Sequence, residues 1–181
     1  MLPTGHVAGG YLTGIVLLKI LKPEFNPNEI NGLIVWAVFF GFAPDLDVFW
    51  FFFKNKTMLV ASSTNETSHR KFIGHAPLLW LVVGFGIYFL ANDLYIKYIG
   101  LMLWMGSWSH FLLDSIEYGI MWLWPFSTNI YALKNTAVAK PITEQGFIKH
   151  TVTFLKYYLT RLTFYLEILV IITALAVYLQ H

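Results

Sequence analysis

The sequence predicts an all-α fold, a multi-spanning transmembrane bundle of about five helices with a loop region on the cytoplasmic side. Apolar residues make up 57% of the 181 residues and charged residues only 12%, whereas a soluble domain carries roughly a quarter charged residues. The apolar residues also stand in long blocks. We therefore expect a single membrane domain over residues 1–181, in contact with the lipid bilayer.

Charge and cysteine content narrow the classes of function. The net charge of +2 is too small to indicate nucleic-acid binding. The chain has no cysteine, which excludes disulfides and thiolate metal sites. Any metal ion would have to be held by imidazole and carboxylate groups.

Five apolar segments approach the roughly 20 residues that a helix needs to cross a bilayer. Pro44 interrupts the second segment, and Gly119 is a plausible stop after the fourth. The first lacks a basic stretch before it, so we interpret it as a retained helix and not as a removed leader. The predicted spans run over about residues 5–21, 32–53, 76–91, 94–115 and 162–179.

Two loops separate these segments. Residues 54–70 are polar, and residues 119–161 form a long loop for which we predict a surface-lying helix from about Glu144 to Thr160. Glu167, alone in the fifth segment, is expected to make a packing contact or an inter-helix hydrogen bond. Asp93 is expected to be a turn residue.

Nine polar residues are unusual in so apolar a chain, and segment order places them together. Helices that alternate in direction bring the start of the first, the end of the second, the start of the third and the end of the fourth to one face. Most basic residues of the chain share that face, so the positive-inside tendency makes it cytoplasmic. The nine are His6, Asp45, Asp47, His69, Arg70, His75, His110, Asp114 and Glu117.

Two motifs have the spacing of cation ligands. His110 and Asp114 lie one turn apart on the same helical face, although a helix-end ion pair would use the same spacing. Asp45 and Asp47 stand beside Pro44 in an apolar run, where two carboxylates are costly unless a cation neutralises them. Their alternative is a plain helix-end cap facing water.

The third motif runs from His69 to His75, and Gly74 permits the loop that would let the two histidines converge. Arg70 is a candidate clamp for a phosphate, although the segment could equally be a basic patch that meets lipid headgroups. His6 lies near the start of the first helix, on the same predicted face.

In this order the motifs resemble the signature of the inner-membrane-bound metal-dependent hydrolase family of bacteria and archaea, over roughly residues 1–120. The resemblance implies a helical membrane domain. The sequence departs from the family at Gly74, where the family usually has a Thr or Ser. The two histidines of this motif are also six residues apart here, whereas five is usual in the family. The metal ligands that it implies are His6, Asp45, Asp47, His69, His75, His110 and Asp114.

Our hypothesis from these residues is a hydrolase with one or two divalent ions, zinc before manganese or iron. The metal would activate a water molecule, Asp45 or Asp47 would bridge metals or act as base, and Arg70 would hold an anionic group. A lipid-like or phosphorylated small molecule fits a site at interfacial depth. Two alternatives stay open: a non-enzymatic metal-binding protein for transport or sensing, and a structural subunit whose charges organise helix packing.

Overall fold

The computed structural model describes residues 1–47, 71–134 and 147–180, and its regular elements there are helices apart from one isolated bridge between Ile120 and Tyr131. The predicted all-α class is confirmed. Two short 3₁₀ turns, Ala43–Leu46 and Ile73–His75, stand between the longer helices. The α-helices are α1 (Pro3–Leu21), α2 (Pro27–Phe42), α3 (Pro77–Leu90), α4 (Leu94–Asp114), α5 (Phe147–Tyr158) and α6 (Leu162–Tyr178).

The second helix begins at Pro27, earlier than the predicted start near residue 32. Asn26 accepts a hydrogen bond from the backbone N–H of Glu29, whose side chain accepts one from the Asn26 N–H in return. This reciprocal cap stabilises a polar first turn that an apolar-block criterion overlooks. At the other end α2 stops at Phe42, and the 3₁₀ turn that follows contains Pro44. The predicted break at this proline is therefore present.

The ends of α4 are fixed by its flanking residues. Asp93 caps the N-terminus by accepting from the N–H of Ile96 at 3.0 Å, as its expected place in a turn suggests. After Asp114 the chain makes one further turn and leaves it at Gly119, whose φ of +86° is a conformation that favours glycine. The α-helix itself ends at Asp114, before the predicted stop at Gly119.

Helices α1, α2 and α4 approach one another through glycine. A Cβ added to Gly10 would lie 2.6 Å from the carbonyl oxygen of Ala37, and one added to Gly106 would lie 2.7 Å from the same oxygen. A Cβ on Gly41 would lie 2.8 Å from the carbonyl oxygen of His6. Small residues at such crossings let membrane helices pack backbone to backbone. This close approach of the three backbones lies about one helical turn from His6.

Among the described residues, α1 and the continuous stretch Pro27–Leu46 are long and apolar enough to cross a membrane by length and composition. Helices α3 and α6 are apolar but shorter. Large apolar side chains lie exposed on the bundle, including Val35, Val82 and Leu175. Exposed apolar surface of this extent fits contact with lipid.

We predict that Gly41→Ala destabilises the bundle, whereas Gly86→Ala does not. The new methyl group on Gly41 would collide with α1, at a cost of about 1–3 kcal/mol. Gly86 has no atom within 4 Å of an added Cβ, so alanine there should be neutral or favourable through helix propensity. Thermal unfolding in detergent, followed by tryptophan fluorescence, measures both variants. Equal melting temperatures for the two would contradict the importance of the α1–α2 contact.

Candidate metal centre

Five side chains from four stretches of chain meet at one end of the bundle. His6 comes from the first turns of α1, and His110 and Asp114 from the last turns of α4. Asp45 and His75 come from the two 3₁₀ turns, next to the end of α2 and the start of α3. The alternation of helix direction that the sequence predicts is the reason why these residues share one layer.

Asp45 faces three imidazole rings. Its Oδ1 atom lies 3.6 Å from Nε2 of His75 and 3.6 Å from Nε2 of His110. Its Oδ2 atom lies 4.0 Å from Nε2 of His6. The same ring nitrogen of all three histidines is therefore turned toward one carboxylate.

Asp114 closes the layer from the other side. Its Oδ1 lies 3.4 Å from Nε2 of His6, and its Oδ2 lies 4.0 Å from Nε2 of His110. The Met1 amino group also donates to Oδ1, at 2.5 Å. The rings of His6 and His110 stack at a centroid distance of 3.7 Å. The i, i+4 motif of His110 and Asp114 thus contributes both of its side chains to the layer.

The outer nitrogens of two rings have partners that set their orientation. His75 Nδ1 lies 2.6 Å from Asp47 Oδ2, and His110 Nδ1 lies 3.0 Å from the backbone carbonyl of Gly41. With Nδ1–H donated outward, Nε2 of His110 carries the lone pair toward the layer, and Nε2 of His75 is the nitrogen that becomes available to a cation when its proton leaves. A carboxylate or carbonyl behind the ring is the usual arrangement of histidines that ligate metals.

These donors fit a divalent cation. The Nε2 atoms of His6 and His110 are buried and have no hydrogen-bond partner among the described residues, which is costly unless an ion is bound. The N···O separations of 3.4–4.0 Å exceed the roughly 2.9 Å of a good hydrogen bond. Two sets of three could hold an ion: His6, Asp45 and His110, and His75, His110 and Asp114.

Exposure to solvent is uneven across the layer. The side chains of His6, His75, His110 and Asp114 are at most 1% exposed, whereas Asp45 is 15% and Asp47 12% exposed. Among the described residues of the layer and its partners, Asp45 and Asp47 are therefore the most accessible to solvent.

The structure assigns other partners to three acidic residues. The described contact of Asp47 is with the far nitrogen of His75, on the other side of that ring from Asp45. Glu117, predicted to extend the stripe of His110 and Asp114, accepts from the N–H and hydroxyl of Thr163 at the start of α6. Glu167 makes the expected inter-helix hydrogen bonds, to Thr4 and Gly5 of α1. His69 and Arg70 lie outside the described residues.

The surroundings of Gly74 explain why this position has no side chain. A Cβ on Gly74 would lie 3.2 Å from Asp47 Oδ2, the atom that contacts His75, and the Gly74 carbonyl accepts from the indole of Trp80 at 2.8 Å. The absence of a side chain leaves room for the Asp47–His75 pair. The sequence showed Gly74 as a departure but could not show what it makes room for.

His75 precedes α3, and its surroundings favour the charged imidazole. Burial lowers its pKa, but hydrogen bonds and charge from Asp45 and Asp47 outweigh burial and raise the pKa from 6.5 to about 9. In the metal-free protein, therefore, His75 holds a proton at neutral pH. A metal ion would have to displace that proton, so metal binding should strengthen as pH rises.

For metal-free protein we predict a loss of stability between pH 6.5 and about 9, the two pKa values of His75. Because the folded state binds this proton more tightly, the contribution is complete below pH 6.5 and disappears as pH rises through about 9. Melting temperatures measured in chelator across this range test the effect. His75→Gln should flatten the pH profile, and an unchanged slope in that variant would refute the assignment.

Comparison with known proteins identifies one matching family. The model of the YdjM inner membrane protein family matches residues 1–181. No curated protein and no solved structure matches the chain.

Proposed function

The chain belongs to the YdjM inner membrane protein family, and on this premise we propose that it is a metal-dependent hydrolase of the inner membrane. The observation that carries the proposal is the convergence of three histidine Nε2 atoms on Asp45. The substrate would be a phosphate or other ester of an amphiphilic, lipid-like molecule. Hydrolysis is the chemistry that an imidazole and carboxylate centre with one open side supports best.

Five residues would hold the ion: His6, His75, His110, Asp45 and Asp114. A centre rich in imidazole favours zinc, and its two carboxylates also suit manganese or iron. A cation held there would lower the pKa of water and polarise an ester or phosphoryl oxygen. The two donor sets share His110, so the described residues supply one compact centre; a second ion would need further ligands such as His69.

Asp45, in the 3₁₀ turn, and Asp47, directly after it, would then have different roles. Asp45 faces the histidines and is also the most exposed member of the layer, so it is placed both to ligate and to exchange a proton with a molecule entering from solvent. Asp47 would orient His75 through the 2.6 Å contact at Nδ1 and not ligate the ion, which differs from the part that the sequence predicts. Arg70 remains our candidate for binding the anionic group.

The site would face the cytoplasm. The basic residues of the loops on this side of the bundle outnumber those on the other, and the positive-inside tendency then sets the orientation. The five candidate ligands among the described residues lie at one end of the helices, whereas a transport site lies near the bilayer midplane with a path to both faces. This placement favours hydrolysis over transport.

We predict that Asp45→Ala and His110→Ala each abolish high-affinity metal binding. Loss of a ligand should weaken affinity more than the roughly 10–100-fold that follows loss of a residue behind a ligand. Elemental analysis of protein purified without added metal, followed by competition with a chromogenic chelator, measures content and affinity. Asp93→Asn, which retains a capping side chain at the opposite end of α4, is the matched control.

Wild-type metal content in both variants would refute the centre. Turnover is tested separately, with the metal-loaded wild type and an Asp45→Asn variant on phosphomonoesters, phospholipids and carboxylic esters in mixed micelles. Hydrolysis that Asp45→Asn removes supports the hydrolase. A protein that binds metal at these residues but cleaves none of these substrates would instead be a metal-binding component without turnover.

A further inference from the structure

Residues 120–131, which we call the interfacial hairpin, follow the turn of residues 115–119 at the end of α4. The backbones of Ile120 and Tyr131 exchange two hydrogen bonds, of 3.0 and 2.9 Å. The residues after Tyr131 are also held at the end of α4, because the Leu133 N–H donates to the carbonyl of Ser115, the C-cap of α4, at 2.7 Å. The Trp122 indole donates to the Ser115 hydroxyl at 2.8 Å. The hairpin therefore holds a fixed position at the end of α4.

The hairpin is buried at its base and apolar on its outer surface. Ile120 and Met121 are buried against the bundle, whereas Phe126 is 88% exposed and Leu133, just after the hairpin, is 85% exposed. Leu123 is also about half exposed. Large apolar side chains fixed outward in this way are unfavourable in water and gain free energy from an apolar environment.

The composition of this stretch is that of a membrane boundary. Between Glu117 and Lys134 there is no Asp, Glu, Lys, Arg or His. The same 16 residues contain aromatic rings at positions 118, 122, 124, 126 and 131. Tryptophan and tyrosine concentrate where hydrocarbon meets lipid headgroups. Lys134, which ends the stretch, is exposed and has the length to reach phosphate groups.

The hairpin also continues an aromatic row on the helices. The ring of Trp108 lies edge-on to that of Trp104 at 5.7 Å and to that of Trp122 at 5.4 Å. Trp108 donates to the carbonyl of Pro77 at 3.1 Å, at the first turn of α3. The row thus runs from α4, past the start of α3, into the hairpin, which favours lipid over a separate protein partner as the occupant of its outer surface.

We propose that the interfacial hairpin is a membrane anchor that inserts Leu123, Phe126 and Leu133 into the headgroup boundary of the bilayer on the side of the metal centre. Its occupant is the lipid surface itself. The polar residues Ser127, Thr128 and Asn129 would stay in water. The anchor does not depend on whether the centre holds metal or is catalytic. Because Ser115 joins the hairpin to Asp114, the anchor would also hold the centre at a constant depth below the headgroups.

The lack of cysteine in the chain makes the proposal directly testable. Single variants Phe126→Cys and Leu133→Cys carry a nitroxide spin label in the full chain, reconstituted into vesicles of phosphatidylethanolamine and phosphatidylglycerol. Power saturation with oxygen and with a water-soluble nickel chelate gives the depth of each label. Asn129→Cys, exposed in the same hairpin, is the aqueous control, and Val82→Cys, exposed in the middle of α3, is the lipid control.

We expect oxygen-to-nickel accessibility ratios at positions 126 and 133 several-fold above that at position 129 and below that at position 82, because the ratio rises with depth and the headgroup boundary lies between the two controls. Ratios equal to that at position 129 would overturn the proposal. So would labels screened from both reagents with spin–spin broadening, which would identify a second copy of the chain as the occupant. Two label positions guard against one variant that fails to fold, and circular dichroism of each labelled protein verifies the helices.

Discussion

The candidate centre depends on the backbone contact of α1, α2 and α4 at their glycines. Lipid offers no hydrophobic force that pushes helices together, so close packing of small residues has to supply the attraction. A Cβ on Gly41 of α2 would lie 2.8 Å from the carbonyl oxygen of His6 in α1, and the carbonyl of Gly41 itself contacts His110 Nδ1. One glycine therefore places two of the three histidines. If a methyl group at this contact pushed the helices apart, the short distances between the candidate ligands would be lost.

A second polar cluster beside the centre keeps the first turn of α1 in place. Glu167 of α6 accepts from the Gly5 N–H at 3.0 Å and the Thr4 hydroxyl at 2.6 Å, and it also accepts from the Tyr158 hydroxyl. In hydrocarbon the free N–H groups of a helix start need such a partner. Because His6 directly follows Gly5, helix α6 stabilises one ligand position without contributing a ligand.

Much of this site follows from the sequence because it needs only segment order and helical spacing. Those two rules place His6, Asp45, His75, His110 and Asp114 at one end of the bundle. They do not predict that the Asp47 side chain contacts His75, because this contact depends on the path of the 3₁₀ turn and on the space beside Gly74. Nor do they give the contact of His110 with a backbone carbonyl, which depends on the register of α4 against α2.

The gradient of exposure across the layer links the centre to the membrane around it. The side chains of the three histidines are at most 1% exposed, so a cation bound among them would meet less competition from water and act in a lower dielectric. Asp45 alone among the five proposed ligands reaches solvent to an appreciable degree. A substrate would then approach from the loops and not through the helices. The interfacial hairpin, which is hydrogen-bonded to Ser115 next to Asp114, would bring lipid headgroups to that same level, which is consistent with the amphiphilic substrate that we propose.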